Sequence, residues 1–311
     1  MVLRIMETPC FNDIVERVYA KAPLNKKKLV KYLSTRDEIF LGEAEEFAVK
    51  YKSYLERFDI PLDYAVDAYL EMNKNMMVSQ IEFMKTGHYP MRLQTDAFDQ
   101  VYSNEKAMRS YMIGLAISQF LWPTHFEMFQ FHNTSVVKYK DSISNYLEIG
   151  PGHGLFLNRV LDHLQKDVRL VAIDISPVSM EITKSIISFF RTAQANIEYL
   201  VQDFLEFDSE ETFDFITMGE VLEHVNEPEK MLHKLHKLLS ENGRAFVSTC
   251  ANAPSIDHVY HFKFVEEIQQ IFECCGFSIE EEAILPVEDL PYNEIVEKKI
   301  TINYCALLKH K

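Results

Sequence analysis

The spacing of apolar residues divides the chain into two parts near residue 140. In the first part, apolar residues recur three and four positions apart, which is the spacing of helices that bury one face. This spacing predicts helices over residues 62–84, 105–120 and 124–137. We therefore expect residues 1–140 to form an all-helical domain.

Short apolar runs alternate with helical stretches in residues 141–311. This alternation is typical of βαβ units, in which helices join the strands of a parallel sheet. The predicted strands are 146–149, 170–173, 197–201, 213–217, 245–248, 277–285 and 300–308, and the predicted helices are 155–164, 179–191, 228–239 and 265–275. Asn242-Gly243 predicts a turn before the fifth strand. The last two strands are consecutive, which favours an antiparallel edge on a parallel sheet. The predicted fold class is therefore α/β, a doubly wound sheet behind a helical domain.

Composition and charge narrow the choice of partners. The chain has 47% hydrophobic and 25% charged residues and no apolar run of 18 residues, so we expect no membrane-spanning helix. The formal net charge of -15 argues against nucleic acid, which proteins bind through basic surfaces. The short basic run at residues 25–28 is better explained as the solvated start of a helix. A small-molecule substrate, free or carried on another protein, is the remaining expectation, and the oligomeric state is left open.

The cysteines and the first residues indicate where the protein works. The five cysteines are odd in number and lack the spacing of metal ligands, which favours reduced thiols. Residues 1–17 are interrupted by charges and lack the apolar stretch of a signal peptide. We therefore expect a cytoplasmic protein.

A glycine-rich turn follows the first predicted strand. The segment Leu147-Glu148-Ile149-Gly150-Pro151-Gly152-His153-Gly154-Leu155 ends that strand and opens a helix. In an open α/β sheet, ligands bind beyond the carboxyl ends of the strands, and glycines there let the backbone pass close to a ligand. A dinucleotide fingerprint would need a glycine at position 155, where the chain has leucine. The turn therefore indicates a different nucleoside-type ligand.

Three acidic residues at successive strand ends indicate which ligand this is. Glu148 precedes the glycine turn, Asp174 ends the second strand, and Asp203 follows the third, next to Phe204. S-adenosylmethionine (SAM) carries a cationic ammonium and sulfonium, which suit a carboxylate beside the turn. Asp174 is placed to accept hydrogen bonds from ribose hydroxyls, and Asp203 from the adenine amino group. Each acid alone could be a helix N-cap, but all three behind one glycine turn favour a nucleoside site.

These motifs resemble the successive motifs of class I SAM-dependent methyltransferases, over about residues 140–311. The resemblance implies a Rossmann-like, seven-stranded sheet whose last strand is antiparallel, with S-adenosyl-L-methionine as the cofactor. It also implies that the methionine part of SAM lies at the glycine turn, the ribose at Asp174 and the adenine at Asp203. The expected cofactor-binding residues are Glu148, Gly150, Gly152, Gly154, Asp174, Ile175, Asp203, Phe204, Gly219 and Glu220.

A second cluster follows the fourth strand. Gly219-Glu220-Val221-Leu222-Glu223-His224-Val225 resembles the E-x-x-E-H segment of ubiquinone-biosynthesis O-methyltransferases and of small-RNA 2′-O-methyltransferases, although RNA fits badly with the net charge. On a helical turn, Glu220, Glu223 and His224 would share one face. His258 follows the fifth strand and reaches the same edge of the sheet.

Three interpretations of this cluster stay open. His224 or His258 could act as a general base or orient a substrate, with Glu220. Alternatively, Glu220, Glu223, His224 and His258 could bind a divalent metal that activates a hydroxyl, although we expect no metal. In the third interpretation, these groups cap a helix and line the cofactor pocket.

The helical first part is the expected substrate-facing part. A helical cap over the strand ends would exclude water and shape a pocket. His132 and Asn133, within the aromatic run at residues 122–133, are equally compatible with the site and with a packed core. We include His132 among the candidate catalytic residues, with His224, Glu220 and His258.

Three functions are compatible with these motifs. The expected function is transfer of the SAM methyl group to an oxygen, nitrogen or carbon atom of a small molecule, in specialised or cofactor metabolism. The first alternative is a cyclase or lyase that acts on the aminobutyl arm of SAM. The second is a regulatory partner that binds SAM without catalysis.

Overall fold

The structure is a computed structural model that describes residues 8–90, 93, 104–191 and 196–311. Its α-helices are α1 (Pro9–Lys21), α2 (Lys26–Ser34), α3 (Glu38–Arg57), α4 (Leu62–Thr86), α5 (Glu105–Leu121), α6 (Pro123–Tyr139), α7 (Leu155–Val160), α8 (Pro177–Phe190), α9 (Pro228–Leu238), α10 (Val265–Cys274) and α11 (Tyr292–Glu297). Its strands are β1 (Asn145–Ile149), β2 (Arg169–Asp174), β3 (Ile197–Val201), β4 (Phe213–Gly219), β5 (Leu239–Ala251), β6 (Phe277–Pro286) and β7 (Ile302–His310). Each helix in the described ranges is too short or too polar to cross a lipid bilayer.

The seven strands form one sheet in the order β3-β2-β1-β4-β5-β7-β6. Strands β1 to β5 are parallel, and β7 is antiparallel to both of its neighbours. The predicted α/β sheet with an antiparallel last strand is therefore confirmed. The last two strands lie together at one end of the sheet, with β7 between β5 and β6. The strand order reverses between β1 and β4, which opens a crevice at their carboxyl ends.

Two local predictions need correction. The helix predicted over 155–164 ends at Val160, and residues 161–164 continue as turns. Asn242-Gly243 does not precede β5 but lies inside it. Phe213 pairs with Leu239 and Phe215 with Arg244, so the residues between Leu239 and Arg244 bulge out of the ladder.

Helices cover both faces of the sheet. On one face, α6, α7 and α8 pack on a core that contains Tyr146, Phe215 and Phe246, and on the other α9 and α10 pack on Leu147, Ile216 and Val247. Helix α6 contacts β5, β6 and β7 as well as α5. In packing, α6 therefore belongs to the sheet as much as to the helices before it. The boundary at residue 140 stays a prediction, and it separates α6 from the sheet that it covers.

Helices α1 to α5 share one core with α7 and α8, because Leu155, Val178 and Ile182 belong to the same buried cluster as the helical residues. Helix α5 crosses α4 at very short distance at Gly114. A Cβ atom there would lie 2.7 Å from the backbone of Ala68 and Tyr69. Only glycine permits this approach, which fixes α5 against α4.

We predict that Gly114→Ala destabilises the protein by about 1–3 kcal/mol, the usual cost of overpacking, although alanine is the better helix former. The matched control is Gly42→Ala in α3, where a Cβ atom would meet nothing within 4 Å. This variant should gain up to about 1 kcal/mol from helix propensity alone. Denaturant midpoints of both variants measure the effect, and equal shifts would contradict the close contact.

Candidate active site

One cavity of about 700 Å³ opens at the carboxyl ends of the parallel strands. Residues after the strands form one side of it, among them Gly150, Asp174, Asp203 and Gly219. Side chains of α2, α4 and α5 form the other side; they include Tyr32, Tyr69, Met72, Met76, Met108 and Met112. The cavity therefore lies where the strand order reverses, between the sheet and the N-terminal helices.

The turn after β1 requires its glycines. Gly150, Gly152 and Gly154 have φ angles of 67°, 55° and 74°, which side chains other than glycine adopt at a cost. A Cβ atom on Gly150 would also lie 2.8 Å from Val221 Cγ2, and one on Gly154 would lie 3.2 Å from Thr183. Thr183 Oγ1 donates a hydrogen bond to the Gly152 carbonyl at 2.8 Å. The turn is thus packed between the segment after β4 and helix α8.

Asp174 and Asp203 line the cavity and also hold the backbone behind them. Asp174 Oδ1 accepts a hydrogen bond from Ser176 N at 2.8 Å, and Asp203 Oδ1 accepts one from Leu205 N at 2.8 Å. Asp203 thereby caps the short 3₁₀ turn at 204–206. Desolvation raises the pKa of Asp174 to about 6. The backbone bonds aim both carboxyl groups at the cavity, so capping and ligand binding are compatible here.

Glu148 is buried at the base of the cavity and belongs to a polar chain through the protein core. Tyr146 Oη donates to Glu148 Oε2 at 2.7 Å and lies 2.8 Å from Thr217 Oγ1, which is 3.0 Å from His132 Nε2. Burial raises the pKa of Glu148 to about 8. The neutral form of this acid is therefore favoured at physiological pH.

His132 lies in the core and not at the cavity. Its assignment as a candidate catalytic residue is therefore wrong. Its ring is fully buried, stacks on Phe156 with centroids 4.8 Å apart, and does not line the cavity. Burial lowers its pKa to about 3, so the ring is neutral. In the same aromatic run, Trp122 and His125 do line the cavity, whereas Asn133 Oδ1 bonds His163 Nε2 at 2.7 Å.

The segment after β4 is not the α-helical turn that the sequence predicted. Glu220 has a left-handed φ of 54°, and residues 222–224 form a single 3₁₀ turn. The shared helical face is therefore wrong, although the side chains still meet. Val259 N and Tyr260 N both donate to the Glu223 carbonyl, at 2.8 and 3.0 Å, which draws the loop after β5, with His258, onto this turn.

Glu220 and Glu223 form a pair of buried carboxyl groups beside the cavity. Thr249 Oγ1 donates to Glu223 Oε2 at 2.8 Å. The Oε1 atoms of Glu220 and Glu223 are buried and have no hydrogen-bond partner among the described residues. Burial raises the pKa of both carboxyl groups. The pair therefore favours holding a proton, and its two Oε1 atoms are open to further hydrogen bonds.

His224 is held by Asp257 in a defined orientation. Its Nδ1 atom donates to the Asp257 carbonyl at 3.1 Å and lies 3.6 Å from Asp257 Oδ2. A proton on Nδ1 leaves the lone pair on Nε2, the nitrogen nearer to Glu223. His258 packs edge-on against His224 with ring centroids 4.8 Å apart, and its own Nδ1 lies 2.6 Å from the Ala253 carbonyl. Burial lowers the pKa of His258, which favours the neutral form of its ring.

Metal-ligand groups also come together at this cluster. One possible set is Glu223, His224 and His258, and another is Glu220, Glu223 and Cys250; within each set the ligand atoms lie within 4.8 Å of one another. The metal and the general-base interpretations therefore both have suitable geometry. A chelator experiment separates them, as described below.

The sequence did not indicate two residues of this site. Tyr146 lies two positions before Glu148, so both side chains point to the same face of β1, and that spacing could have revealed the contact. Asp257 directly precedes His258, but only the fold brings it to His224. Its partner is 33 residues away in the chain.

We predict that Glu148→Gln raises the stability of the empty protein at pH 8 by about 2–4 kcal/mol and changes it little at pH 5. The pKa of this acid is about 8 in the folded protein and lower in the unfolded chain. Its burial therefore lowers the free energy of unfolding little at low pH and most above pH 8, where the acid ionises. Melting temperatures of both proteins from pH 5 to 8 measure this. The control is Glu241→Gln, which replaces an exposed acid. If the melting temperatures of wild type and Glu148→Gln changed in parallel with pH, the raised pKa would be contradicted.

Comparison with known proteins identifies the domain in which these residues lie. A family model described as a methyltransferase domain matches residues 147–245, which contain the glycine turn and all three strand-end acids. The mitochondrial ubiquinone biosynthesis O-methyltransferase of Schizosaccharomyces pombe is 34% identical over 103 residues, 33% of this chain and 36% of that protein. Nodulation protein S of Rhizobium tropici is 33% identical over 97 residues, 31% of this chain and 38% of that protein. The chain thus matches little more than a third of the length of these relatives.

A solved structure supports the fold over a longer stretch. The mitomycin 7-O-methyltransferase MmcR superposes with a TM-score of 0.54 and 12% sequence identity, over 80% of this chain and 70% of that one. The match of the domain model, the strand order and the glycine turn at the reversal point agree with one another. Residues 147–245 are therefore a methyltransferase domain of the class I SAM-dependent superfamily.

Proposed function

We propose that this chain is a SAM-dependent methyltransferase whose acceptor is a small molecule. The observation that carries the proposal is one cavity lined by the glycine turn and by Glu148, Asp174 and Asp203. Glu148 would face the cationic methionine part of SAM, Asp174 the ribose, and Asp203 with Phe204 the adenine. Ile175, Gly219 and Glu220 line the same cavity and complete the proposed cofactor site.

The rest of the cavity supports an acceptor smaller than a macromolecule. Helices α2, α4 and α5 contribute side chains opposite the strand ends, and we propose that the N-terminal helices act as a cap that excludes water from the transfer. The net charge of -15 supports a partner other than nucleic acid. The five cysteines are free thiols, which supports a reducing, cytoplasmic setting.

The proposed reaction is an in-line displacement. The acceptor atom attacks the SAM methyl carbon, the sulfur–carbon bond breaks, and its electron pair returns to sulfur, which leaves S-adenosylhomocysteine. Alignment of the two reacting centres is the main task of the protein, since SAM is already an activated donor. His224 Nε2 would take the proton that an O–H or N–H acceptor loses, with Asp257 holding the ring in the required tautomer. His224 is 19% exposed, so its ring can be reached from the cavity.

Product analysis tests the reaction class directly. Purified protein incubated with SAM and a candidate acceptor should yield S-adenosylhomocysteine and an acceptor that is heavier by one methyl group. Methylthioadenosine as the product would instead show chemistry on the aminobutyl arm. Binding of SAM without turnover of any acceptor would favour a regulatory role.

We predict that Asp174→Ala weakens SAM binding by about 1.5–3 kcal/mol, the range for hydrogen bonds to a charged group. Isothermal titration calorimetry with SAM measures the loss. Because Asp174 also holds Ser176 N, a circular dichroism spectrum must show that the variant is folded. Asp174→Asn is the matched variant that keeps a hydrogen-bond acceptor and should lose less affinity. Unchanged affinity in a folded Asp174→Ala would overturn the assignment of the ribose site.

We predict that His224→Asn lowers the turnover rate by about 10²–10⁴-fold with little change in SAM affinity, because the variant loses a positioned base. The control His233→Asn replaces an exposed histidine of α9 and should keep normal turnover. If the cluster instead holds a metal, a chelator inhibits the wild type and an added divalent ion restores it. Near-normal turnover of His224→Asn would leave the ring a purely structural role.

A further inference from the structure

Charged groups are distributed unevenly around the cavity. The acids that line it, Glu148, Asp174, Asp203, Glu220, Glu223 and Asp257, all come from the sheet side. From α2, α4 and α5 the described lining contains one charged side chain, Lys28, whose Nζ pairs with Glu288 Oε1 at 2.8 Å. Among the described residues, α2, α4 and α5 therefore offer no acid to a cation, and their one cation is held in an ion pair.

Methionines dominate the helical side of the cavity. Five come from α4 and α5, and they are Met72, Met76, Met77, Met108 and Met112. Their unbranched, polarizable side chains adapt to apolar ligands of irregular shape. Tyr111 and Met112 connect the two sides. Tyr111 lies near Glu220, Glu223 and Asp257, and Met112 Sδ lies 3.6 Å from the position of a Cβ on Gly152.

One polar atom on this apolar side has no partner. Tyr32 is 8% exposed, lines the cavity, and its Oη atom is buried without a hydrogen bond to any described residue. Its ring is fixed by Phe40, with centroids 5.8 Å apart, and by the guanidinium of Arg36 above it. Burial raises the pKa of Tyr32, so the hydroxyl keeps its proton. A buried hydroxyl left without a partner costs stability, which a ligand oxygen could recover.

We infer that the methyl acceptor is a neutral, largely apolar molecule, whose body packs among these methionines and whose carbonyl or ether oxygen accepts a hydrogen bond from Tyr32 Oη. This inference rests on the proposed function, since it assigns the strand-end side of the cavity to SAM. The nucleophilic group of the acceptor then lies at the opposite end of the molecule, near Glu220 and His224. Helices α4 and α5 also place the amides of Asn73, Gln80 and Gln119 at the cavity, which leaves room for a few further polar groups on the acceptor.

The neutral dye N-phenylnaphthylamine, which fluoresces in apolar surroundings, tests the inference on protein saturated with S-adenosylhomocysteine. Methyl hexyl ketone, a neutral apolar molecule with one carbonyl oxygen, should displace the dye. The cationic octylamine, of similar length, should displace it less well. Tyr32→Phe should weaken binding of the ketone by about 2- to 12-fold, the range for one net hydrogen bond, and should leave the affinity for the dye unchanged.

Two matched substitutions on α4 locate the binding site. Met76→Gln keeps the length of the side chain but makes the cavity wall polar. This variant should weaken binding of the dye and of the ketone to a similar extent. Met84→Gln is the control, because Met84 is 55% exposed on the same helix and does not line the cavity. Equal effects of the two variants would show that the dye binds outside the cavity and would overturn the inference.

Other outcomes also decide the question. Tighter binding of octylamine than of the ketone would show that the acids select a cation and would overturn the inference. So would a ketone affinity that Tyr32→Phe leaves unchanged, or dye that binds only in the absence of S-adenosylhomocysteine. Failure of S-adenosylhomocysteine to bind, measured beforehand by calorimetry, would contradict the proposed function instead. The dye and ketone titrations can then be repeated on the protein alone.

Discussion

The close backbone approach at the turn after β1 is the constraint on which the site depends. A Cβ atom would lie 2.8 Å from Val221 Cγ2 on Gly150 and 3.2 Å from Thr183 on Gly154, so a side chain at either position would displace its neighbour. This packing sets the position of the segment after β4, which carries Glu220, relative to the end of β1. The proposed cofactor site and the cluster after β4 are therefore positioned by one arrangement of backbone rather than by separate loops.

Much of the fold could be predicted because it depends on local patterns. The alternation of apolar runs and helical stretches gave the seven strands, and the glycine turn with its three acids gave the ligand side of the cavity. These features can be predicted because each one is a pattern within a short stretch of the chain. The site residues that were predicted wrongly or not predicted at all are placed by contacts between distant segments of the chain. His132 was placed near the site by its sequence position, but α6 turns it into the core below Phe156.

The cluster after β4 also shows that local sequence patterns do not record contacts between distant segments. Helical spacing predicted a shared face for Glu220, Glu223 and His224, whereas the left-handed backbone of Glu220 and the 3₁₀ turn bring them together differently. Asp257 reaches His224 because the loop after β5 bonds to the Glu223 carbonyl. Tyr32 is a further example, since an ordinary helical spacing gives no sign that its hydroxyl is buried without a partner. Long-range packing decides such roles, and local propensity does not record it.

The raised pKa values of the cavity acids imply a conflict between folding and function. Glu148, Glu220 and Glu223 are desolvated in the empty protein, and each would be easier to bury as an amide. Selection or engineering for thermostability alone would therefore tend to replace them and so remove the groups that could receive a cation or a proton. This chain carries carboxyl groups at positions where folding favours neutral side chains. A survey of stabilising substitutions across the chain would thus serve as an independent map of the site, made without any knowledge of the substrate.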